Sequence, residues 1–186
     1  MQRRFLVIAL LFCLPLSAWA FIKPVRVVEA FFSVSCTNES ICTDDPSRQQ
    51  EASELYEGAF QFVASSITPL QKRPLVVFCA SEACYQSFGF HKSSAESVGS
   101  FCIVVSPRAW KPFFVRHEMI HRLQTQQLGS FKMYTEPQWA IEGMAYSLSE
   151  DPRPTLAEPF QRYRSQFNTW YQSVGKEHLW AEVAKQ

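Results

Sequence analysis

No charge of either sign is in excess in this chain: 18 Lys and Arg stand against 17 Asp and Glu, a formal net charge of +1. Charged residues make up only 19% of the 186 positions, and hydrophobic residues 47%. That balance excludes disordered, collagen-like and coiled-coil chains, and the length fits one domain. Internal repeats and low-complexity tracts are absent, and so is any CxxC pair, which argues against a thiolate zinc site. Histidine is scarce, occurring only at His91, His117, His121 and His178.

Long apolar runs are missing as well. The run over 5–16 is too short to span a bilayer comfortably. It follows the basic Arg3 and Arg4 and precedes Ala18-Trp19-Ala20, which reads as a signal peptide cleaved after Ala20. The expected product is an exported protein, periplasmic or extracellular, with no stable membrane anchor and one domain over 21–186. Cleavage leaves 16 basic and 17 acidic residues, net −1. A near-neutral protein has no broad electrostatic reason to bind nucleic acid. Export favours disulfides among Cys36, Cys42, Cys79, Cys84 and Cys102. Local pairing, Cys36–Cys42 and Cys79–Cys84 with Cys102 free and buried, is the simplest arrangement; Cys79–Cys102 is the alternative.

Patterning gives an α+β reading. An extended segment over 21–35 leads to a polar loop over 36–48. Helical spacing over 47–67 carries Ala52, Leu55, Tyr56, Ala59, Phe60, Val63 and Ile67, and Pro69 follows. Apolar strands are expected at 74–79 and 101–105, separated by a short helix that Ser81 opens and Gly89 closes, and by a loop over 91–99. Pro112 opens a helix that runs to 128 and ends at Gly129. A loop at 130–136, a helix over 137–149, a turn at 151–154 and a last helix over 158–174 complete the chain. The expected architecture is a small, mostly antiparallel sheet packed on helices.

Residues 117–121 read His-Glu-Met-Ile-His. Positions i and i+4 share one helix face, so His117 and His121 are able to converge on one ion. Glu118, about 100° around the helix, is left beside the position where a water would sit. A catalytic zinc takes three protein ligands and keeps a fourth position open. The next helix offers Glu142 among apolar neighbours, where an unpaired carboxylate is costly, with small Gly143 and Ala145 to let helices approach.

His117-Glu118-x-x-His121 followed by Trp139-x-x-Glu142-Gly143-x-Ala145 resembles the gluzincin group of zinc metallopeptidases, over about residues 74–150. The resemblance implies a zincin-like domain with an active-site helix and a glutamate helix, and Zn2+ held by His117, His121 and Glu142. It also implies hydrolysis of a peptide or protein substrate by metal-activated water, with Glu118 as general base. The strand at 101–105 would be the sheet edge that pairs with extended substrate. No HxxGxxH continues from His121, which separates the chain from metzincins, and no Gly-x-Met-x-Asn precedes His117, which disfavours an aminopeptidase. Tyr146, Tyr163, Arg164, Tyr171 and His178 are the candidates to hold the oxyanion. Arg116 and Arg122 read as solvated surface residues. The alternative function is an exported zinc-binding or partner-binding module with little or no peptidase activity.

Overall fold

A computed structural model describes residues 30–37, 40–98 and 101–186. The leader expected at 1–20 lies outside the described residues, as does most of the extended segment at 21–35. Of that segment's described end, Phe31–Ser33 form a 3-10 turn and Ser35–Thr37 form β1.

Five strands make one sheet in the order β1-β2-β3-β5-β4. β2 is Ile41–Thr43, β3 Leu75–Phe78, β4 Ala95–Val98 and β5 Cys102–Val105. The sheet is mixed, not mostly antiparallel: β2, β3 and β5 run parallel, and β1 and β4 flank them antiparallel. Connection length accounts for this. The β1–β2 and β4–β5 links are short enough for hairpins, whereas a helix-containing crossover joins β2 to β3 and another joins β3 to β5. Two expected loops are therefore partly strand: 36–48 contains the β1–β2 hairpin, and 91–99 contains β4. The strand at 101–105 is consequently interior; β4 occupies the edge.

The parallel strands bury both faces, and for that reason they read as continuous apolar runs. On one face Val76, Phe78, Ile103 and Val105 join a core with α1 (Gln49–Ser66), α3 (Pro112–Leu128), α5 (Gln138–Leu148) and α6 (Phe160–Val174). On the other, Val77, Cys79 and Val104 pack with Tyr85 of α2 (Glu82–Ser87) and with Phe88 and Phe90. Cys36–Cys42 closes across the hairpin, Cys79–Cys84 ties β3 to α2, and Cys102 is free and buried. Two disulfides fit an oxidising, exported setting. Among the described residues no helix is long and apolar enough to cross a membrane.

The helix punctuation follows the sequence. Ser81 caps α2 by accepting from Cys84 N, Pro112 starts α3, and Gly129 ends it at φ 84°, a left-handed conformation that favours glycine. Two further helices occur, α4 (Lys132–Thr135) inside the expected 130–136 loop and α7 (Leu179–Val183) beyond the last expected helix. Gly143 serves a different contact from the one expected. A Cβ there would overlap the Tyr163 carbonyl oxygen and lie 2.9 Å from Phe167 Cβ. Its lack of a side chain thus admits α6 against α5, not α3 against α5.

Candidate metal centre

α3 buries Val115, Met119, Ile120 and Leu123, and with them two polar residues, Glu118 and Gln124. Those burials fix the helix's rotation and leave His117 and His121 on the side that faces α5. Their Nε2 atoms lie 3.1 Å apart. Glu142 on α5 completes the group, with Oε2 3.6 Å from His117 Nε2 and Oε1 3.6 Å from His121 Nε2. The side chains are 13%, 13% and 24% exposed, so the group is sheltered yet reachable.

Neutral imidazole nitrogens and a carboxylate are zinc donors, and bonds of about 2.0–2.1 Å in a tetrahedron put donor atoms about 3.3 Å apart. Separations of 3.1 and 3.6 Å bracket that value. The three donor atoms therefore fit around one ion. Asp44, Cys79 and Cys84 also cluster, but both sulfurs are spent in a disulfide.

Burial alone would raise the Glu142 pKa. A hydrogen bond from His117 and the charges of His121 and His117 outweigh it and hold the carboxyl below its ordinary value. Glu142 is thus ionised and ready to act as a ligand. Gln124, fully buried, bridges the two helices: its side chain lies 2.8 Å from His121 Nδ1 and donates to the Ile141 carbonyl at 2.8 Å.

Glu118 does not join the triad. Only 7% exposed, it accepts a hydrogen bond from Ser97 Oγ on the edge strand at 3.0 Å. It opens with the triad onto a cleft of about 820 Å³. β4 and the preceding Ser93 and Ser94 form one wall, while Tyr146, Arg153 and Phe160 line another. Phe101 and Tyr134 stand on the rim, 72% and 82% exposed.

No protein-family model, curated protein or solved structure matches this chain.

Of the five candidate oxyanion donors, only Tyr146 reaches the cleft; Tyr163, Arg164, Tyr171 and His178 are not among its lining residues. The Tyr146 ring packs on His117 with centroids 4.4 Å apart. Burial first, and then the Glu142 charge, push its phenol up to about 12, so it keeps its proton and remains a donor at neutral pH. Arg153, which sequence reasoning missed, stands beside it. Its Nε donates to the Asp151 carboxylate at 2.9 and 3.0 Å, and Arg164 secures the loop through the Arg153 and Pro154 carbonyls, each at 2.9 Å. A loop arginine carries no periodic signal, and only its place beside Asp151 hinted at a fixed position. Neither flanking arginine is the solvated surface residue expected. Arg116 pairs with Glu150 at 2.5 Å, but its own side chain is only 21% exposed and its guanidinium lies over the Phe62 ring. Arg122 lines the cleft and is partly buried, and desolvation lowers its pKa.

Proposed function

We propose that this protein is an exported zinc-dependent peptidase, with Zn2+ on His117, His121 and Glu142 and with Glu118 as the general base. One observation carries the reading: two imidazoles and a carboxylate converge at metal-ligand spacing, while a second carboxylate is held apart from them beside the same cleft. A site that merely stored a metal would have no use for the second carboxylate. Zinc, when bound, supplies Lewis acidity and brings the pKa of a bound water to about neutral. Glu118 accepts the proton of the attacking water and delivers it to the leaving amine. The Tyr146 hydroxyl, protonated at working pH, donates to the developing oxyanion.

The edge position of β4 supports an extended peptide as substrate. Ser94 O accepts from Ser106 N at 2.9 Å, so in the antiparallel alternation residues 94, 96 and 98 bond to β5. The backbone groups of Ala95 and Ser97 then face the open edge, where a substrate strand would add. Peptide or protein is the partner class, and the two disulfides favour an exported setting for it.

Metal analysis of the purified protein, together with peptidase assays of the wild type and Glu118→Gln, tests the proposal. Stoichiometric zinc in both, with hydrolysis lost only in Glu118→Gln, is expected. Zinc with equal activity in both would remove Glu118 from its role. Zinc with no hydrolysis in either would leave an exported metal-binding module, and no metal would end the proposal.

A further inference from the structure

Gln124 is a neutral polar side chain without exposure, three residues past the second histidine. Buried amides are retained where both ends are satisfied, because an end left without a partner away from water is costly. Here both are. The amide's orientation is fixed by its second partner: the Ile141 carbonyl only accepts, so Gln124 must present Nε2 to it, at 2.8 Å. Oε1 is then the atom facing His121 Nδ1, at 2.8 Å. An amide oxygen only accepts, so Nδ1 must carry the hydrogen.

We infer that Gln124 is a positioning residue that locks neutral His121 as the Nδ1–H tautomer and thereby sets the protein's affinity for its metal. Free imidazole does not favour this form. With the proton on Nδ1, Nε2 keeps its lone pair and points toward His117 and Glu142. The same amide grips the backbone one residue before Glu142, so one side chain orients a ligand on α3 and restrains the segment that carries the ligand on α5. Outer partners of this kind typically contribute about 10- to 100-fold in affinity.

The affinity half of this inference rests on the zinc reading above; the tautomer half does not, and the experiment keeps them apart. Imidazole 15N spectra of the metal-free protein at pH 8.5 report which nitrogen of His121 is protonated. Wild type is expected to show Nδ1–H. Gln124→Met, similar in volume and unable to hydrogen bond in this way, is expected to move the proton to Nε2 and to weaken zinc binding 10- to 100-fold in chelator competition. Gln124→Glu retains an acceptor for Nδ1–H and should keep the wild-type tautomer even if the lost donation to Ile141 lowers its stability. It therefore covers the case in which the methionine variant fails to fold. His121 protonated on Nε2 in the wild type, or a Gln124→Met protein that binds zinc as tightly as the wild type, would overturn the inference. A wild type that binds no zinc but shows Nδ1–H would remove the function and the affinity claim together, and leave the tautomer lock standing.

Discussion

The Ser97 hydroxyl on the edge strand donates to Glu118 Oε2 at 3.0 Å, so the wall of the cleft holds the acidic group expected to move the proton. Ser97→Ala removes this donor without altering the metal triad. A hydrogen bond to a charged group contributes about 1.5–3 kcal/mol, and part of that orients the carboxylate. The expected result is a fall in kcat of about tenfold, with KM and zinc stoichiometry unchanged. A fall in zinc content would show that the serine acts on the fold of the site and not on the base.

This bond was not legible in the sequence, and the reason is physical. Ala95-Glu96-Ser97-Val98 has no apolar run, and it is a strand only because β5 pairs with it. The i, i+4 histidines and Glu142 were legible because helix geometry makes spacing equivalent to direction. The disulfides were legible only in part: short loops favour near partners, but Cys79 could equally have bridged to Cys102 on a neighbouring strand, and only the fold places it against Cys84. Gln124 was not, because periodicity counts a glutamine as polar and places it outside. Nor was the role of Gly143: its smallness was plain, but the neighbour that needs it, Tyr163, lies on a helix twenty residues further along the chain.

Tyr146 combines two contacts that a single substitution separates. Tyr146→Phe keeps the ring on His117, 4.4 Å between centroids, and deletes the hydroxyl. Loss of one oxyanion donor costs about 10²- to 10³-fold in kcat. Steady-state kinetics should show that loss with metal affinity unchanged, whereas Tyr146→Ala should lower both.

The Asp151–Arg153 pair gives the cleft wall a defined acid response. The Asp151 side chain is 1% exposed. Burial works to raise its pKa, but hydrogen bonds from the Arg153 side chain and backbone outweigh burial and hold it below the ordinary value. A carboxyl with a lowered folded-state pKa adds stability that is fully present above its unfolded value of about 3.9. That stability fades as pH falls toward and through the folded value. Asp151→Asn removes this contribution. Thermal melts from pH 7 to pH 2.5 should show the variant less stable than wild type at pH 7, with the gap narrowing below pH 4. A constant gap across that range would assign the loss to packing and not to the charge.

Gly143 supplies a test of the fold in which no metal ligand is itself substituted. The α5–α6 contact brings a backbone carbonyl, Tyr163 O, to where a Cβ would stand, with Phe167 Cβ on the other side at 2.9 Å. A flexible side chain could move aside, but a helix backbone cannot without shifting α6 as a body. Overpacking of this type costs about 1–3 kcal/mol, set against at most about 1 kcal/mol gained from the better helix propensity of alanine. Gly143→Ala should therefore lower the denaturation midpoint despite that propensity, and calorimetry of the metal-free protein measures the net sign directly. Because Glu142 is the preceding residue, a displaced α5 would also move its carboxylate relative to His117 and His121. Zinc affinity should then fall together with stability, a coupling that a purely peripheral helix contact would not produce.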